Sequence, residues 1–463
     1  MSYGAIATIL LASTSGLDGS DAPRPRIEGY ATSQSVAQGE PVGLAVSTSA
    51  ETFSVEVVRA GATPTVAWSA GGILGREYPV PRDASSRGCR WPVAVTVPVG
   101  KDWKPGYYTA RLRASGPSSE RPGAGSEAYF VVRAAGATPR SKVLLQLATN
   151  TYNAYNNWGG YSLYAYNGRD KVQGRRVSFD RPGGSQFATW EGPFVAWAER
   201  NGYAIDYATN LDLERHPEIL RGYQLVLSVG HDEYWSAPMR DRLEAFIREG
   251  GNVAFFGGNS VCWQVRAEDD GRALACWKQS FGDDPVYQTD DRRTLTTLWG
   301  HHLVGRPENG LTGVGFLWGG YHRSHGQLMD GSGAYTAHRP EHWAFEGTGL
   351  ARDAEFGGEH TVVGYECDGC EILWRGGLPE PTGRDGTPAS FVILATAPAR
   401  WHPDDSEWYE RWPKGRVGHA VMGMYTRGGT VFTVGSTDWA HGLRGGDPIV
   451  ERITRNVLDR LSK

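Results

Sequence analysis

The chain has 463 residues, of which 47 are basic and 51 acidic, giving a formal net charge of −4. This length predicts two or three domains, and the charge argues against nucleic acid or an anionic membrane surface as a main partner. The 17 Trp and 21 Tyr argue against a disordered chain and predict a large aromatic-lined core or pocket.

Residues 1–25 are predicted to be an N-terminal extension. Their short apolar run, in MSYGAIATILLASTSG, has no Lys or Arg before it, so the charged start of a secretory signal is absent. No apolar run in the sequence approaches the roughly 20 residues of a membrane span. The expectation is a cytoplasmic protein that does not associate with membranes.

Residues 26–138 are predicted to form an Ig-like β-sandwich. Short β-branched segments are separated by Gly, Pro and Asp clusters at the spacing typical of sandwich strands. These segments are PVGLAVSTS, TFSVEVVRAG, WPVAVTVPV, YYTARLRAS and AYFVVRA.

Residues 139–463 are predicted to form a doubly wound, glutamine-amidotransferase-like α/β domain with irregular insertions beyond about residue 280. Strand and helix patterns alternate, which favours a parallel sheet. The predicted strands are VLLQLAT, AIDYAT, LVLSVG and NVAFFGGN, and the predicted helices are FVAWAERNGY, HPEILRGY, APMRDRLEAFIREGG and the final PIVERITRNVLDRLSK.

Polar side chains follow three of these strands. VLLQLAT leads into Asn150–Asn153, LVLSVG into His231–Glu233, and NVAFFGGN ends at Asn259. Open α/β sheets bind ligands beyond the carboxyl ends of their strands, so these residues predict one crevice. Simpler interpretations exist, because Asp232 or Ser236 could cap the next helix and Asn259 could serve a turn. Adjacent ionisable groups at a buried strand end, however, need partners or a metal.

The residue types restrict the chemistry of this crevice. These strand ends carry no Gly-x-Ser-x-Gly elbow, no cysteine and no His-x-x-x-His spacing, which leaves an oxygen-rich site suited to a hard cation. Cys367 and Cys370 form a single CxxC among five cysteines. Without a second pair this is weak support for zinc, and two ordinary thiols, a local disulfide and a redox pair all remain open.

The sequence resembles the large subunit of N,N-dimethylformamidase and its relatives. The matching stretches span about residues 27–442, and GHDEYWS with TYNAYNNWGG is the specific combination. The stretches are IEGYATSQSVAQGE, WKPGYYTARL, LATNTYNAYNNWGG, GHDEYWS, GGNVAFFGGNSVCWQVR, LACWKQ, GYECDG and GSTDWAHGL.

The resemblance implies a metal-dependent amide hydrolase with one iron per chain, expected as Fe³⁺, held by two tyrosines and one glutamate. These ligands fall on Glu233, Tyr152 and Tyr108, with neighbouring Tyr107 as the alternative to Tyr108. Four further residues match polar positions around the metal in the family. Glu366 is the candidate general base. His231 and Asn259 would orient the attacking water or stabilise the developing oxyanion, and Lys278 would balance the local charge. The tyrosine from the sandwich would place the site at the domain interface.

The implied substrate is a small amide such as an N-substituted formamide, and the family's small partner subunit is a separate chain. Oligomeric state stays open. The alternative from another class is a non-catalytic carbohydrate- or ligand-binding protein on a degenerate amidotransferase-like scaffold, which would contain no metal.

Overall fold

The computed structural model describes residues 25–115, 124–136, 140–324, 329–401, 409 and 417–463. Residues 1–24 of the predicted N-terminal extension lie outside these ranges, and so does the predicted domain boundary at 138/139. No helix among the described residues is long and apolar enough to cross a membrane.

The first part of the described chain, up to residue 136, is almost entirely β-structure. Its elements are β1 (Ile27–Ala31), β2 (Ser35–Ala37), β3 (Val42–Thr48), β4 (Thr52–Arg59), β5 (Thr65–Leu74), α1 (Ala84–Arg87), β6 (Val93–Val97), β7 (Gly106–Ala114) and β8 (Gly125–Arg133).

These strands form two sheets, ordered β1-β3-β6 and β2-β8-β7-β4-β5. Alternate residues of both sheets point into one shared core, as a period of two along each strand requires. Leu44 from the first sheet and Val55, Ala110 and Phe130 from the second are members of this core. The predicted two-sheet packing is therefore present, and the Ig-like topology stays a prediction.

The rest of the chain alternates strands and helices up to residue 257 and is less regular beyond it. Its elements are β9 (Val143–Leu147), α2 (Thr149–Tyr155), β10 (Arg176–Ser178), α3 (Glu191–Arg200), β11 (Asp206–Thr209), α4 (Asn210–Arg215), β12 (Leu225–Gly230), β13 (Tyr234–Ser236), α5 (Ala237–Arg248), β14 (Asn252–Gly257), β15 (Trp263–Glu268), β16 (Ala273–Ala275), α6 (Asn309–Thr312), β17 (Gly315–Gly320), β18 (Tyr335–Ala337), β19 (Glu355–Phe356), β20 (Cys367–Gly369), β21 (Ile372–Arg375), β22 (Leu378–Pro381), β23 (Val392–Arg400), β24 (Val417–Arg427), β25 (Gly429–Thr433), α7 (Trp439–Gly445) and α8 (Pro448–Leu461).

A nine-stranded sheet ordered β11-β9-β12-β14-β25-β24-β23-β18-β19 organises this part. The first five strands are parallel, as predicted, but the pairs from β25 to β19 are antiparallel. The parallel arrangement predicted from the strands up to residue 259 is therefore present, and the sheet continues with an antiparallel second half. Gly428, at φ +82°, makes the tight turn that joins β24 to β25 as a hairpin.

Helices cover both faces of this sheet. Helix α5 places Met239, Leu243 and Ile247 on one face, in the spacing of successive helical turns. Helices α3, α7 and α8 pack on the opposite face with Phe256 and Leu227. This two-sided packing agrees with a doubly wound arrangement, whereas a specific likeness to the glutamine amidotransferases stays a prediction.

One predicted helix is wrong. Residues 217–222, within HPEILRGY, form turns, and the helix lies earlier as α4. Thr209 and Asp212 make a capping box, in which each side chain accepts a bond from the other residue's backbone N–H. This reciprocal cap fixes the helix start directly after β11.

The sandwich packs against the α/β part through both charge and apolar contacts. Arg59 pairs with Glu199 at 2.6 Å, and Arg133 pairs with Asp212 at 3.1 Å. Tyr107 of β7 belongs to the same apolar core as the residues beneath α3. The two parts therefore share a packed interface.

Candidate functional site

Strand β12 ends at an obligatory glycine. Gly230 has φ +77°, and a Cβ there would lie 2.3 Å from the Cβ of Trp190. Both the left-handed backbone and the close approach exclude a side chain. The turn sends His231, Asp232 and Glu233 into the interior, where each is at most 2% exposed.

Asp232 and Ser236 have structural roles. The carboxylate of Asp232 accepts hydrogen bonds from Gln146 (2.6 Å), Ser228 (2.9 Å) and Asn210 (3.1 Å), which ties β9, α4 and β12 together. Ser236 is the N-cap of α5, where its hydroxyl accepts from the backbone N–H of Met239. Of the two helix-capping alternatives, Ser236 is the residue that caps.

Glu233 is enclosed by donors. Tyr164 donates its phenol proton to the carboxylate (2.9 and 3.0 Å to the two oxygens), and the Trp263 indole N–H donates to it at 2.8 Å. His231 Nε2 lies 3.2 Å away. Burial alone would raise the pKa of Glu233, but His231 and Lys278 hold it below its usual range.

His231 joins Glu233 to a second buried carboxylate. Its Nε2 lies 2.8 Å from Glu366 Oε2, and Asn259 Nδ2 donates to that same oxygen at 3.1 Å. Burial opposes the charging of His231, yet the two carboxylates raise its pKa, with Glu366 the larger contributor. Burial raises the pKa of Glu366, and the His231 cation limits the rise. The three side chains form one buried charged unit.

Asn259 is held in a left-handed conformation at φ +49°. Asp368 stabilises this turn, because its two carboxylate oxygens accept the backbone N–H groups of Asn259 (2.9 Å) and Ser260 (3.0 Å). The turn aims the Asn259 amide at Glu366. Asn259 Oδ1 has no hydrogen-bond partner among the described residues and stays available as an acceptor.

Lys278 lies in an aromatic cage. Its Nζ is 3.3 Å from the ring centroid of Tyr164, 4.9 Å from that of Trp263 and 5.1 Å from that of Tyr234. The ring faces stabilise the ammonium group, while burial lowers the pKa of Lys278 to about 8. The same Tyr164 and Trp263 donate to Glu233, so this cation is part of the cluster.

Half-buried aromatic rings separate His231 from solvent. Ring centroids lie 5.5 Å away for Tyr155, 6.0 Å for Tyr365 and 6.1 Å for Trp190, all roughly perpendicular to the imidazole. Tyr155 also lies 4.3 Å from Tyr164, centroid to centroid. Aromatic rings therefore line the side of His231 that these three residues cover.

The structure brings together His231, Glu233, Asn259, Lys278 and Glu366 from the predicted set. It gives Tyr108 and Tyr152 other partners. The phenol of Tyr108 donates to the Lys104 carbonyl at 2.6 Å and its ring lies in the sandwich core. The phenol of Tyr152 donates to the buried carboxylate of Glu191. Neither phenol bonds to Glu233 among the described hydrogen bonds.

The alternative Tyr107 is also occupied, since its hydroxyl bonds to Ser185 at 2.6 Å and its ring stacks on Phe187. Sequence reasoning missed Tyr164, whose phenol bonds to Glu233, and Tyr155, whose ring lies against Tyr164 and His231. The run TYNAYNNWGGYSLYAY contains both of them, so a signal was present, but five tyrosines in one run do not reveal which two point inward.

The five cysteines, including Cys367 and Cys370, are free and buried. The predicted alternative of a local disulfide is therefore not the form that the structure shows. Burial raises the pKa of both thiols well above the ordinary value. Buried, protonated thiols of this kind are unreactive.

The chain matches the sequence profile described as "N,N-dimethylformamidase beta subunit-like, C-terminal" over residues 54–453. It belongs to that family. The N,N-dimethylformamidase beta subunit of Paracoccus aminophilus is 25% identical over 367 residues, which cover 68% of this chain and 44% of the relative. That of an Alcaligenes species is 24% identical over 365 residues, with the same coverages. The chain thus spans less than half the length of these relatives.

The N,N-dimethylformamidase-like family match includes every residue of the cluster around Glu233. A family 123 glycoside hydrolase from Clostridium perfringens is also similar, at 9% identity and a TM-score of 0.11, covering 57% of this chain and 52% of that one. A likeness at that level carries no argument about fold or function.

Proposed function

We propose that this chain hydrolyses the carbon–nitrogen bond of a small amide, such as an N-substituted formamide, at an iron site centred on Glu233. The observation that carries the proposal is the buried unit in which His231 lies between Glu233 and Glu366. Such a unit is costly to desolvate, and a purely structural core has no need of it. The names of both relatives support the reaction class.

The donor set determines which ligands can hold the metal. Among the described residues, no group of three or more His, Cys, Asp or Glu side chains is arranged to hold a metal ion, and the ligand set that we propose therefore includes phenols. Tyr164 already bonds to Glu233, and Tyr155 lies next to Tyr164. We therefore assign Tyr155 and Tyr164, in place of Tyr108 and Tyr152, as the tyrosine ligands beside Glu233.

These three ligands fit Fe³⁺. Burial and the nearby Glu233 carboxylate raise the pKa of both phenols well above the ordinary value of about 10. Only a strongly acidic cation can displace such protons. Two phenolates and one carboxylate supply a charge of −3, which a ferric ion neutralises, and all three are the oxygen donors that a hard cation favours.

The surrounding residues have distinct roles in this proposal. Bound iron would supply Lewis acidity toward the amide carbonyl and water. Glu366 accepts the proton of the attacking water. Asn259 accepts a hydrogen bond from that water through its free Oδ1, and His231 fixes the orientation of Glu366. Lys278 keeps Glu233 ionised. A small partner subunit is part of the proposal, because both relatives are named as beta subunits.

The ligand assignment is tested with three tyrosine variants. The purified protein is expected to contain about one iron per chain and to show a tyrosinate-to-iron absorption band. Tyr155→Phe and Tyr164→Phe should each lose iron and the band. Tyr152→Phe is the matched control, since it also removes one buried hydroxyl, and it should keep both. Protein without iron would refute the iron site, and iron loss in the control alone would restore the Tyr152 assignment.

The catalytic assignment is tested by two carboxylate variants in a screen of small formamides and acetamides. Glu233→Ala should lose metal and activity together. Glu366→Gln should keep the metal and lose hydrolysis by a factor of about 10²–10⁴, the contribution of a general base. The reverse pattern would show that the two carboxylates have been assigned the wrong roles.

A further inference from the structure

The two proposed tyrosine ligands lie at opposite ends of one compact segment, residues 153–167, which we name the tyrosine loop. The loop is closed by its own hydrogen bonds. Leu163 donates its backbone N–H to the Ala154 carbonyl at 2.9 Å, and Asn167 Nδ2 donates to the Tyr155 carbonyl at 3.2 Å. A closed loop packed by its own groups holds its ends at a fixed separation.

The guanidinium of Arg181 fills the centre of the tyrosine loop. Arg181 is 2% exposed, and all three of its nitrogens donate within 3.4 Å. The acceptors are the carbonyls of Ser178 (2.8 Å), Trp158 (2.7 Å), Tyr161 (3.0 Å), Asn156 (2.8 Å) and Asn153 (3.4 Å), with Asn153 Oδ1 at 3.3 Å. Five of these six acceptors belong to the loop.

No carboxylate pairs with Arg181 among the described ion pairs, so neutral oxygens alone stabilise this buried cation. Burial accordingly lowers the pKa of Arg181 to about 9, which still leaves it charged at neutral pH. A cation without a counterion is an expensive way to stabilise an ordinary loop. Its particular benefit is geometric, since a planar guanidinium offers five N–H groups in fixed directions.

We propose that Arg181 is a positioning residue for the metal site, which sets the relative placement of the Tyr155 and Tyr164 phenols through the carbonyls of the tyrosine loop. This inference rests on the proposed function. Arg181 itself contacts no proposed ligand side chain among the described hydrogen bonds. Its effect would pass through the backbone on either side of Tyr155, at Asn153 and Asn156, and through Tyr161 before Tyr164.

The test compares Arg181→Lys with Arg240→Lys in the full chain. Arg240 is an equally buried arginine that donates to the carbonyls of Arg306 and Pro307, far along the chain from the loop. Lysine keeps the positive charge but lacks the planar guanidinium with its five N–H groups in fixed directions. Arg181→Lys should weaken iron binding on the order of tenfold or more and shift the tyrosinate absorption band. Arg240→Lys should leave both unchanged, although it too loses stability.

A metal-free measurement separates this inference from the proposed function. In apo protein, Arg181→Lys should speed amide hydrogen exchange within residues 153–167 on the order of tenfold, with the rest of the α/β part unchanged. If wild-type protein binds no iron, the proposed function fails, and the hydrogen-exchange result alone then decides whether Arg181 orders the tyrosine loop. Unchanged exchange in the loop, or wild-type iron affinity in Arg181→Lys, would overturn the proposal.

A milder variant covers the case in which Arg181→Lys does not fold. Asn153→Ala removes one acceptor of the guanidinium and leaves Arg181 in place. It should change iron affinity and loop exchange in the same direction but by less. No change in either measurement would again contradict a positioning role.

Discussion

Glu308 provides a test of the buried electrostatics that is independent of the metal. It is 2% exposed before helix α6, and burial raises the pKa of its carboxyl from an ordinary value near 4.5 to about 7. At about 1.4 kcal/mol per pKa unit, this shift corresponds to about 3 kcal/mol. Between pH 5 and 7, therefore, the Glu308 carboxyl is protonated in the folded protein and ionised in the unfolded chain.

The direction of the effect follows from this difference in bound protons. The contribution of Glu308 to folding stability is fully present below pH 4.5 and is lost as pH rises to about 7. Glu308→Gln stays neutral at every pH and keeps one carbonyl oxygen of the original carboxyl group. The variant should therefore exceed wild type in free energy of unfolding by up to about 3 kcal/mol at pH 8, and match it near pH 4.5.

Chemical denaturation at both pH values measures this difference, and other titrating groups cancel because wild type is the reference. Glu341→Gln is the control, since Glu341 is exposed and a substitution at the surface should leave the free energy of unfolding within about 0.5 kcal/mol of wild type. A Glu308→Gln variant equally or less stable than wild type at pH 8 would refute the reasoning. It would mean that water or a cation reaches the Glu308 carboxylate.

Three further outcomes are expected. Gly230→Ala should destabilise the protein by about 3 kcal/mol, because the substitution adds left-handed backbone strain and a clash with Trp190. Gly202→Ala is the control, since Gly202 also has a positive φ but has open space for a Cβ, and it should cost only about 1–2 kcal/mol in the same denaturation assay. Equal losses in the two variants would contradict a contribution from the clash. Asp447→Ala should cost about 1 kcal/mol, because Asp447 caps α8 through the N–H groups of Ile449 and Val450, while Asp447→Asn retains the cap; an equal loss in both variants would contradict a capping role. All five thiols should resist a thiol reagent at pH 8 in native protein and react after denaturation; rapid native labelling would show that the thiols are accessible.

The strands and helices that sequence predicted well are those with purely local signals. LVLSVG is apolar except for Ser228 because both faces of β12 are covered, and α5 repeats apolar residues at helical spacing. The short helix predicted in HPEILRGY lies earlier in the chain, near residue 212. The signal that fixes its start is the capping box of Thr209 and Asp212, and the prediction did not take that cap into account. The antiparallel half of the sheet depends on which strands become neighbours, and that is decided by tertiary packing.

The candidate site shows the same division. His231, Glu233 and Asn259 follow strands, so their meeting could be predicted from sheet geometry. Tyr152 and Tyr155 lie three residues apart on α2, and the sequence offers no local reason to prefer one. Tyr152 turns to Glu191, while Tyr155 turns to His231. The orientation of Tyr152 depends on Glu191, which is distant in sequence, so no local pattern could reveal it.

The long sequence separation between His231 and Glu366 also bears on how the chain is made. During synthesis, His231 and Glu233 emerge well before Glu366, and the turn that carries Glu366 pairs in turn with Ser436 and Thr437 near the C-terminal end of the chain. Until Glu366 has been synthesised, His231 and Glu233 lack this partner. The polar cluster can therefore close only after Glu366 has been synthesised, and a nascent chain that stops before residue 366 carries β14 without β25, its neighbour in the completed sheet.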